Sequence, residues 1–326
     1  MRTLYPLKFK PIFKEKIWGG KKIATVLNQD FATLTNCGEL WAISGVEGSE
    51  SIVANGFLKG NTLPELLEVY MGDLVGERVY EKFGNEFPLL FKFINSEDFL
   101  SVQVHPNDEL ALSRHQSLGK TEMWYIIDAD DEASLICGFK NTIDKNKFLK
   151  NLSENKLKDI LNFEPVVKGD VFYMPSGMVH AIGPGILLAE IQQSSDITYR
   201  IYDWDRFDHA GLKRELHTEL ALDAIDFKSD KQCKTHPVIA KNRPVLLQQS
   251  EYFTVNLIDT DKQLILNYSD KDTLVVLMCI GGSCKIQYNE GQEKLNPGET
   301  LLIPAEMIEI ELNPDKFCKI LETYIE

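Results

Sequence analysis

A chain of 326 residues, 44% hydrophobic and 26% charged, has ordinary globular composition and apolar material for about two domains. Its 35 basic side chains stand against 49 acidic ones, a net charge of −14 that repels nucleic acid and anionic membrane surfaces. An anionic small molecule stays admissible where basic groups cluster, and the lack of a signal-type or membrane-length apolar run predicts a soluble, cytoplasmic protein.

Residues 61–76, NTLPELLEVYMGDLVG, follow a cap-like Asn61 or Thr62 with leucines at helical spacing and predict a helix. Strand alternation begins in PLLFKFINS (88–96). FLSVQVHPND (99–108) keeps the alternation but puts Ser101, Gln103 and His105 on one face, with Val102 and Val104 opposite, and stops at Pro106. Polar groups converging from one strand face point to a wet, functional interior. EMWYIID (122–128) and ASLICGF (133–139) predict further strands. Residues 142–163 place apolar side chains at three- and four-residue steps among lysines, a helix pair inserted at about 141–163. Strands resume in DVFYMPS (170–176), ILLAEIQQ (186–193) and DITYRIYDW (196–204). KRELHTELALDAIDF (213–227) predicts a helix, and TLVVLMCIGGSCKIQYN (273–289) and ETLLIPA (299–305) predict strands. The six cysteines are scattered without a C-x-x-C pair, which predicts reduced thiols.

Short strands separated by NPGE, KGD, PSG, GPG and NEG turns argue for a barrel or sandwich. A weak internal repeat refines this. GDVFYMPSGMVHAI from Gly169 parallels GETLLIPAEMIEIEL from Gly298, and the shared G-(D/E)-x5-P pattern resembles the second motif of the cupin jelly roll. The expected fold is mainly β, with two cupin-type jelly-roll β-barrels and a small helical insertion. Residues 1–240 form the catalytic unit and 241–326 a smaller one without a metal site. In the repeat His180 falls opposite Glu309, and the second copy has no histidine.

Four residues of the first unit form a nitrogen and oxygen donor set: Gln103 and His105 from the opening strand, Glu122 from GKTEMWYII, and His180 from PSGMVHAIG. Two imidazoles, a carboxylate and an amide oxygen suit zinc or a similar divalent ion, and the absence of thiolate leaves a position open for substrate. Each residue alone has an ordinary use: a core histidine, a surface ion pair between Glu122 and Lys120, a loop-bonding glutamine. Meeting in order on inward barrel positions, they read as a site. If LAEIQQSSDITYRIYDW runs without a bulge, Glu190, Asp196 and Arg200 share one inward parity. Ser194–Asp196 also has turn chemistry, and Arg206 lies among Asp203, Asp205 and Asp208 with which it can pair.

SVQVHPND, GKTEMWY, MPSGMVHAIGPG and LAEIQQSSDITYRIYDWDR, with IWGG near Trp18 and GELWAIS near Trp41, together resemble type I mannose-6-phosphate isomerases of the short bacterial form. The resemblance implies one zinc per chain held by Gln103, His105, Glu122 and His180, and interconversion of mannose 6-phosphate and fructose 6-phosphate. It also implies proton-transfer roles around Glu190 and Asp196, phosphate contacts from Arg200 and Arg206, and further active-site positions at Lys120 and Ser101. Longer relatives carry H-K-P-E where this chain has Gly119-Lys120-Thr121-Glu122, so any role of that histidine is lost here. They also have an extra helical domain, which predicts a more open site in this chain.

Of the other histidines, His115 falls on a loop near the site mouth, His217 on a solvated helix face, and His209 and His236 carry no assignment. Trp124 is expected in the core and Trp18 at the site rim. The competing readings are a cupin glucose-6-phosphate isomerase, an iron oxygenase using His105, Glu122 and His180, or a sugar-binding sensor. Arg200, Lys120 and Gln103 weigh against the oxygenase, and no DNA-reading module accompanies a sensor. The sequence suggests a monomer or small homo-oligomer acting on a sugar phosphate, with neither nucleic acid nor membrane as partner. Glu309→Ala is expected to leave bound metal and turnover at the wild-type level. A severe loss of metal, read by elemental analysis, contradicts the reading of the second copy as structural.

Overall fold

The computed structural model describes residues 3–207, 211–228, 232–289 and 291–326, and Asp208 and His209 lie outside the described residues. The chain begins with β1 (Ile12–Lys14), α1 (Lys22–Thr25), β2 (Glu39–Ile43), α2 (Leu63–Val75), α3 (Glu77–Phe83) and β3 (Leu89–Ser96). β4 (Val102–Val104), α4 (Asp108–His115), β5 (Glu122–Ala129), β6 (Ser134–Phe139), α5 (Lys145–Ser153), α6 (Leu157–Ile160) and β7 (Leu161–Pro165) follow. Next come β8 (Val171–Met174), β9 (His180–Ile182), β10 (Ile186–Gln193), β11 (Tyr199–Tyr202), α7 (Thr218–Ala224) and β12 (Lys234–Thr235). The last strands are β13 (Pro244–Gln249), β14 (Thr254–Thr260), β15 (Leu264–Asn267), β16 (Val275–Tyr288), β17 (Gly291–Leu295), β18 (Thr300–Ile303) and β19 (Glu309–Tyr324).

The mainly β class is as expected. One sheet runs β1-β2-β3-β10-β5-β8-β12 and a second β11-β4-β9-β6-β7. A third runs β13-β14-β19-β16-β17, with β15 on β19 and β18 on β16. Among the described residues no helix is long and apolar enough to cross a membrane.

Strand parity decides what meets between the first two sheets. Phe91, Phe93, Met123, Tyr125, Leu187, Ala189 and Ile191 of the first sheet pack into a core shared with Val255, Val276 and Leu302 of the third. The alternate residues Ile94, Trp124, Ile126, Ile186 and Leu188 pack instead with Leu135 and Ile182 of the second sheet. Lys92, Glu122 and Glu190 share that second parity, and so turn inward with them. With apolar contacts on both faces, β3 and β10 are buried along their whole length. That is why their sequences read as almost unbroken apolar runs.

The second sheet is covered from outside. Val102, Val104, Ile136, Ala181, Tyr199 and Ile201 pack with Phe148, Leu157 and Ile160 of α5 and α6, and with Ala221 of α7. The helical insertion therefore caps the outer face between β6 and β7, leaving Ser101, Gln103, His105 and His180 on the inner one.

Several elements differ from expectation for local reasons. The segment read as a loop around His115 ends a helix, α4, whose N-terminus is capped by Asn107 Oδ1 accepting from the Leu110 N–H at 2.9 Å. Only Ala111 of α4 is buried, so no apolar stripe announces it. α2 starts at the Thr62–Glu65 capping box, but its backbone leaves helical conformation at Met71 (φ 45°). The helix expected over 213–227 is confined to α7, and the strand expected over 196–204 to β11. Cys137 and Cys233 form a disulfide, against the expectation of reduced thiols, while Cys37, Cys279, Cys284 and Cys318 are free and buried. Pairing of β12 with β8 brings Cys233 back over the sheets, a proximity that linear spacing does not encode.

The internal repeat has a structural counterpart. Gly169 (φ 93°) and Gly298 (φ 79°) both turn the chain into a four-residue strand, β8 and β18, that ends one residue before a proline. The first copy continues into buried His180 and the second into exposed Glu309.

β9 is pinned by a close backbone approach. A Cβ on Gly183 comes 2.0 Å from the Ser134 carbonyl oxygen of β6. Gly183→Ala is therefore expected to lower stability by about 1–3 kcal/mol and to displace His180, read as a reduced urea midpoint and reduced metal content. An unchanged midpoint contradicts this packing.

Candidate metal centre and active site

Two rows of side chains, one on each sheet, face the interior. On the second sheet β11, β4, β9 and β6 align Arg200 with Gln103, Gln103 with His180, and His180 with Cys137. On the first, β2, β3, β10, β5 and β8 align Trp41 with Lys92, Lys92 with Glu190, Glu190 with Trp124, and Trp124 with Phe172. Residues directly opposite on neighbouring strands share a face, about 4.5–5.5 Å apart at Cβ. Glu122 stands one parity step from Trp124, opposite Gln192.

His105, Glu122 and His180 converge so that one donor atom from each lies within 4.8 Å of the others, and all three are buried. Glu122 Oε1 is 3.2 Å from His180 Nε2, and Oε2 is 3.7 Å from His105 Nε2. His105 Nδ1 lies 2.8 Å from the Ile197 carbonyl and His180 Nδ1 2.9 Å from the Met178 carbonyl. A carbonyl only accepts, so each Nδ1 carries the proton and each Nε2 turns a lone pair inward. Burial, followed by Lys120, lowers the His105 pKa well below its ordinary value. Burial likewise lowers His180 to about 4. Both rings are neutral, as metal ligands require.

Glu122 is fully buried with Lys120 Nζ 3.1 Å from Oε2 and no hydrogen-bond donor on Oε1, and burial outweighs Lys120 to raise its carboxyl to about 7. Such a group is costly in a core unless a cation or donors satisfy it. Gln103 completes the set, with its amide 3.3 Å from His180 Nε2 and 3.4 Å from Ser101 Oγ. A half turn of that amide presents its oxygen to the centre. Two neutral imidazole nitrogens, a donor-poor carboxylate and an amide oxygen fit a divalent cation.

Lys120 adjoins this group, 3.1 Å from Glu122 Oε2 and 3.2 Å from His105 Nε2. Burial works against its ammonium form, but Glu122 and Glu190 outweigh burial and raise its pKa. Glu190 is held on both sides, by Trp124 Nε1–H at 2.9 Å and Lys92 Nζ at 3.1 Å. Burial pushes its carboxyl upward, but Lys92, Lys120 and the Trp124 bond prevail and bring it down to about 2.

Lys120, Glu190 and Gln103 open onto a cavity of about 350 Å³ that Trp18, Ser101, Trp124 and Thr198 also line, with His105, Glu122 and His180 behind them. Its wall carries six cationic side chains, Lys14, Lys16, Lys92, Lys120, Arg200 and Arg214, against the carboxylates Glu39, Glu190 and Asp196. In a chain of net charge −14 this local excess of cations favours an anionic ligand.

Comparison with known proteins agrees with this layout. Residues 6–140 match the family model of the phosphomannose isomerase type I catalytic domain, and 245–322 that of the mannose-6-phosphate isomerase cupin domain. A mannose-6-phosphate isomerase of Bacillus subtilis is 37% identical over 95% of this chain and 96% of its own. The chain belongs to the type I mannose-6-phosphate isomerase family. A Streptococcus mutans relative is 36% identical over 92% of each chain. The crystal structure of the mannose 6-phosphate isomerase from Bacillus subtilis superposes with a TM-score of 0.86 at 31% identity, covering 98% of this chain and 99% of that one.

The structure brings nine of the ten expected site residues together and sets one apart. Ser101, Gln103, Lys120, Glu190, Asp196 and Arg200 line the cavity, with His105, Glu122 and His180 gathered beside it. The strand does not run unbroken from Glu190 to Arg200, because β10 ends at Gln193 and β11 begins at Tyr199 in the other sheet. Asp196 sits exposed on the connection and still reaches the wall. Arg206 is off the wall, paired with Asp203 at 2.7 Å and with Asp98 at 3.3 Å. His217 stands half-buried at the start of α7, its Nδ1 accepting from the Arg200 backbone N–H at 3.1 Å. Trp124 is both core and wall, and Trp18 is buried while lining the cavity.

Sequence reasoning missed Lys92, Arg214, Trp41, Glu39, Lys14 and Lys16 on the wall. Lys92 had a signal, the one charge inside PLLFKFINS, since a lysine in a fully buried strand needs a partner. Lys92→Met is expected to destabilise the protein by roughly 3–5 kcal/mol by leaving Glu190 buried without its cation, and adding Glu190→Gln should recover part of that loss. Urea unfolding of the two variants checks this, and a Lys92→Met loss under about 1 kcal/mol contradicts the pairing.

Proposed function

We propose that this chain is a zinc-dependent aldose–ketose isomerase that interconverts mannose 6-phosphate and fructose 6-phosphate through an enediol. The observation that carries the reading is the donor-poor Glu122 between two inward-facing Nε2 atoms, on the edge of a cavity rich in cations. Family membership supplies the substrate: the relatives at 37% and 36% identity are mannose-6-phosphate isomerases.

Isomerisation moves a proton between C1 and C2 while negative charge grows on both oxygens. Gln103, His105, Glu122 and His180 would hold the zinc, which when bound supplies Lewis acidity that eases formation of the enediol. Arg200 presents a planar fork suited to the substrate phosphate. Lys120 is an ammonium beside the ligand group, placed to donate a hydrogen bond to an oxygen as its charge develops. Glu190 and Asp196 are the wall carboxylates proposed to handle the carbon-bound proton. Glu190 is ionised across the neutral range, because Lys92, Lys120 and Trp124 outweigh its burial. An oxygenase has no use for a phosphate-binding wall, which favours the isomerase among metal-dependent readings.

We also propose that residues 1–240 act as the catalytic unit and 241–326 as a smaller unit without a metal. The two family matches on either side of that boundary, and the separate third sheet, support the division. A cytoplasmic location follows from the proposed substrate, a charged metabolite that does not cross membranes unaided. The Cys137–Cys233 bridge is the feature least at home in a reducing compartment.

The test couples metal removal to turnover. Chelation should abolish conversion of mannose 6-phosphate, zinc should restore it, and Glu190→Gln should lower kcat about 10²-fold or more with zinc retained. Full activity in protein shown by elemental analysis to be free of metal would sink the proposal.

A further inference from the structure

Two of the three arginines clustered near the mouth of the cavity line its wall. Arg200 comes from β11, where its register with Gln103 sets it on the inner face. Arg214 arrives on the returning segment 211–217, which is bonded to β11 at Arg200. The His217 N–H donates to the Arg200 carbonyl at 2.7 Å, and Arg200 Nη1 donates to the Glu215 carbonyl at 2.9 Å. Arg200 Nε is buried and has no hydrogen-bond acceptor.

Arg206, by contrast, stands behind the wall. Asp203 takes Arg206 Nη2 at 2.7 Å and also receives the Nε and Nη2 of Arg214 as a fork, the Nε contact at 2.7 Å. One buried carboxylate thus anchors two guanidinium groups, and only Arg214 reaches the cavity.

The opposite end of the cavity is better balanced. Lys16 pairs with Glu39 at 3.3 Å and Lys92 with Glu190 at 3.1 Å, and Asp196 acts on Lys14. At the arginine end three guanidinium groups share two carboxylates, Asp203 and Asp98, and positive charge is in excess there.

We propose that Arg214 is the second arm of the phosphate clamp, acting with Arg200, and that Asp203 and Arg206 are positioning residues that aim it. This rests on the sugar-phosphate reading above and adds to it a contact from a segment whose sequence reads as helix. Arg200 can offer its fork and Arg214 the donors that Asp203 leaves free, and together they can divide the three phosphate oxygens. The Asp203 fork leaves Arg214 Nη1 as its outward donor, and the Arg206–Asp98 pair ties the anchor to the loop before β4.

The test uses the zinc-loaded enzyme and inorganic phosphate as competitive inhibitor. Arg214→Ala and the length-preserving Arg214→Gln should each raise the phosphate inhibition constant and the KM for mannose 6-phosphate by about tenfold or more. Zinc content should stay at the wild-type level. Arg206→Ala should raise both constants less, about threefold, with recovery in Arg206→Lys, a split that a merely structural role does not produce. If both Arg214 variants keep the two constants within twofold of wild type while Arg200→Ala loses phosphate inhibition, the second-arm assignment falls and the isomerase reading stands. If wild-type enzyme neither converts mannose 6-phosphate nor binds inorganic phosphate, both are overturned.

Discussion

The site depends on a buried carboxylate that the protein itself only half satisfies. Glu122 sits between two imidazole Nε2 atoms, with Lys120 on Oε2 and no hydrogen-bond donor on Oε1. A core tolerates such a group when its charge serves something, because a carboxylate removed from water is costly while any of its oxygens lacks a partner. A divalent cation held by Gln103, His105, Glu122 and His180 would answer that demand, and the rest of the inner face surrounds this group.

The arrangement comes from strand period and register. With side chains alternating at period 2, Gln103 and His105 can share a face only from a strand, and their cross-strand partners fall on the same face. Arg200, Gln103 and His180 form one such row, and Lys92, Glu190 and Trp124 another. The outward parity of the same strands supplies the apolar side chains that join the first sheet to the third. Core and cavity wall are thus two faces of the same strands, so a one-residue slip in β5 or β10 would exchange them.

Much of this was legible in the sequence. Alternation located β3, β5, β6, β10 and β16 to within a residue or two, and the QVH spacing before Pro106 gave the inward face of β4. The metal-ligand candidates followed from donor chemistry and order along the chain. What stayed hidden depended on pairing across long separations. Arg214 looked like part of a helix because RELHTELALD carries helical periodicity, but the hydrogen bonds of His217 and Glu215 to Arg200 tie that stretch to β11, ahead of the helix. Arg206 looked like a phosphate ligand, whereas Asp203 and Asp98 engage it. α4 escaped because a helix with one buried residue has no stripe to read.

What must hold is that four side chains, two from β4 and its end and one each from β5 and β9, close around one divalent ion. X-ray absorption at the zinc edge of the purified protein reads this most directly. Nitrogen and oxygen neighbours at about 2.0–2.2 Å, with the multiple-scattering signature of two imidazoles, are the predicted result. Sulfur neighbours near 2.3 Å, or protein that takes up no zinc when it is supplied, would contradict it.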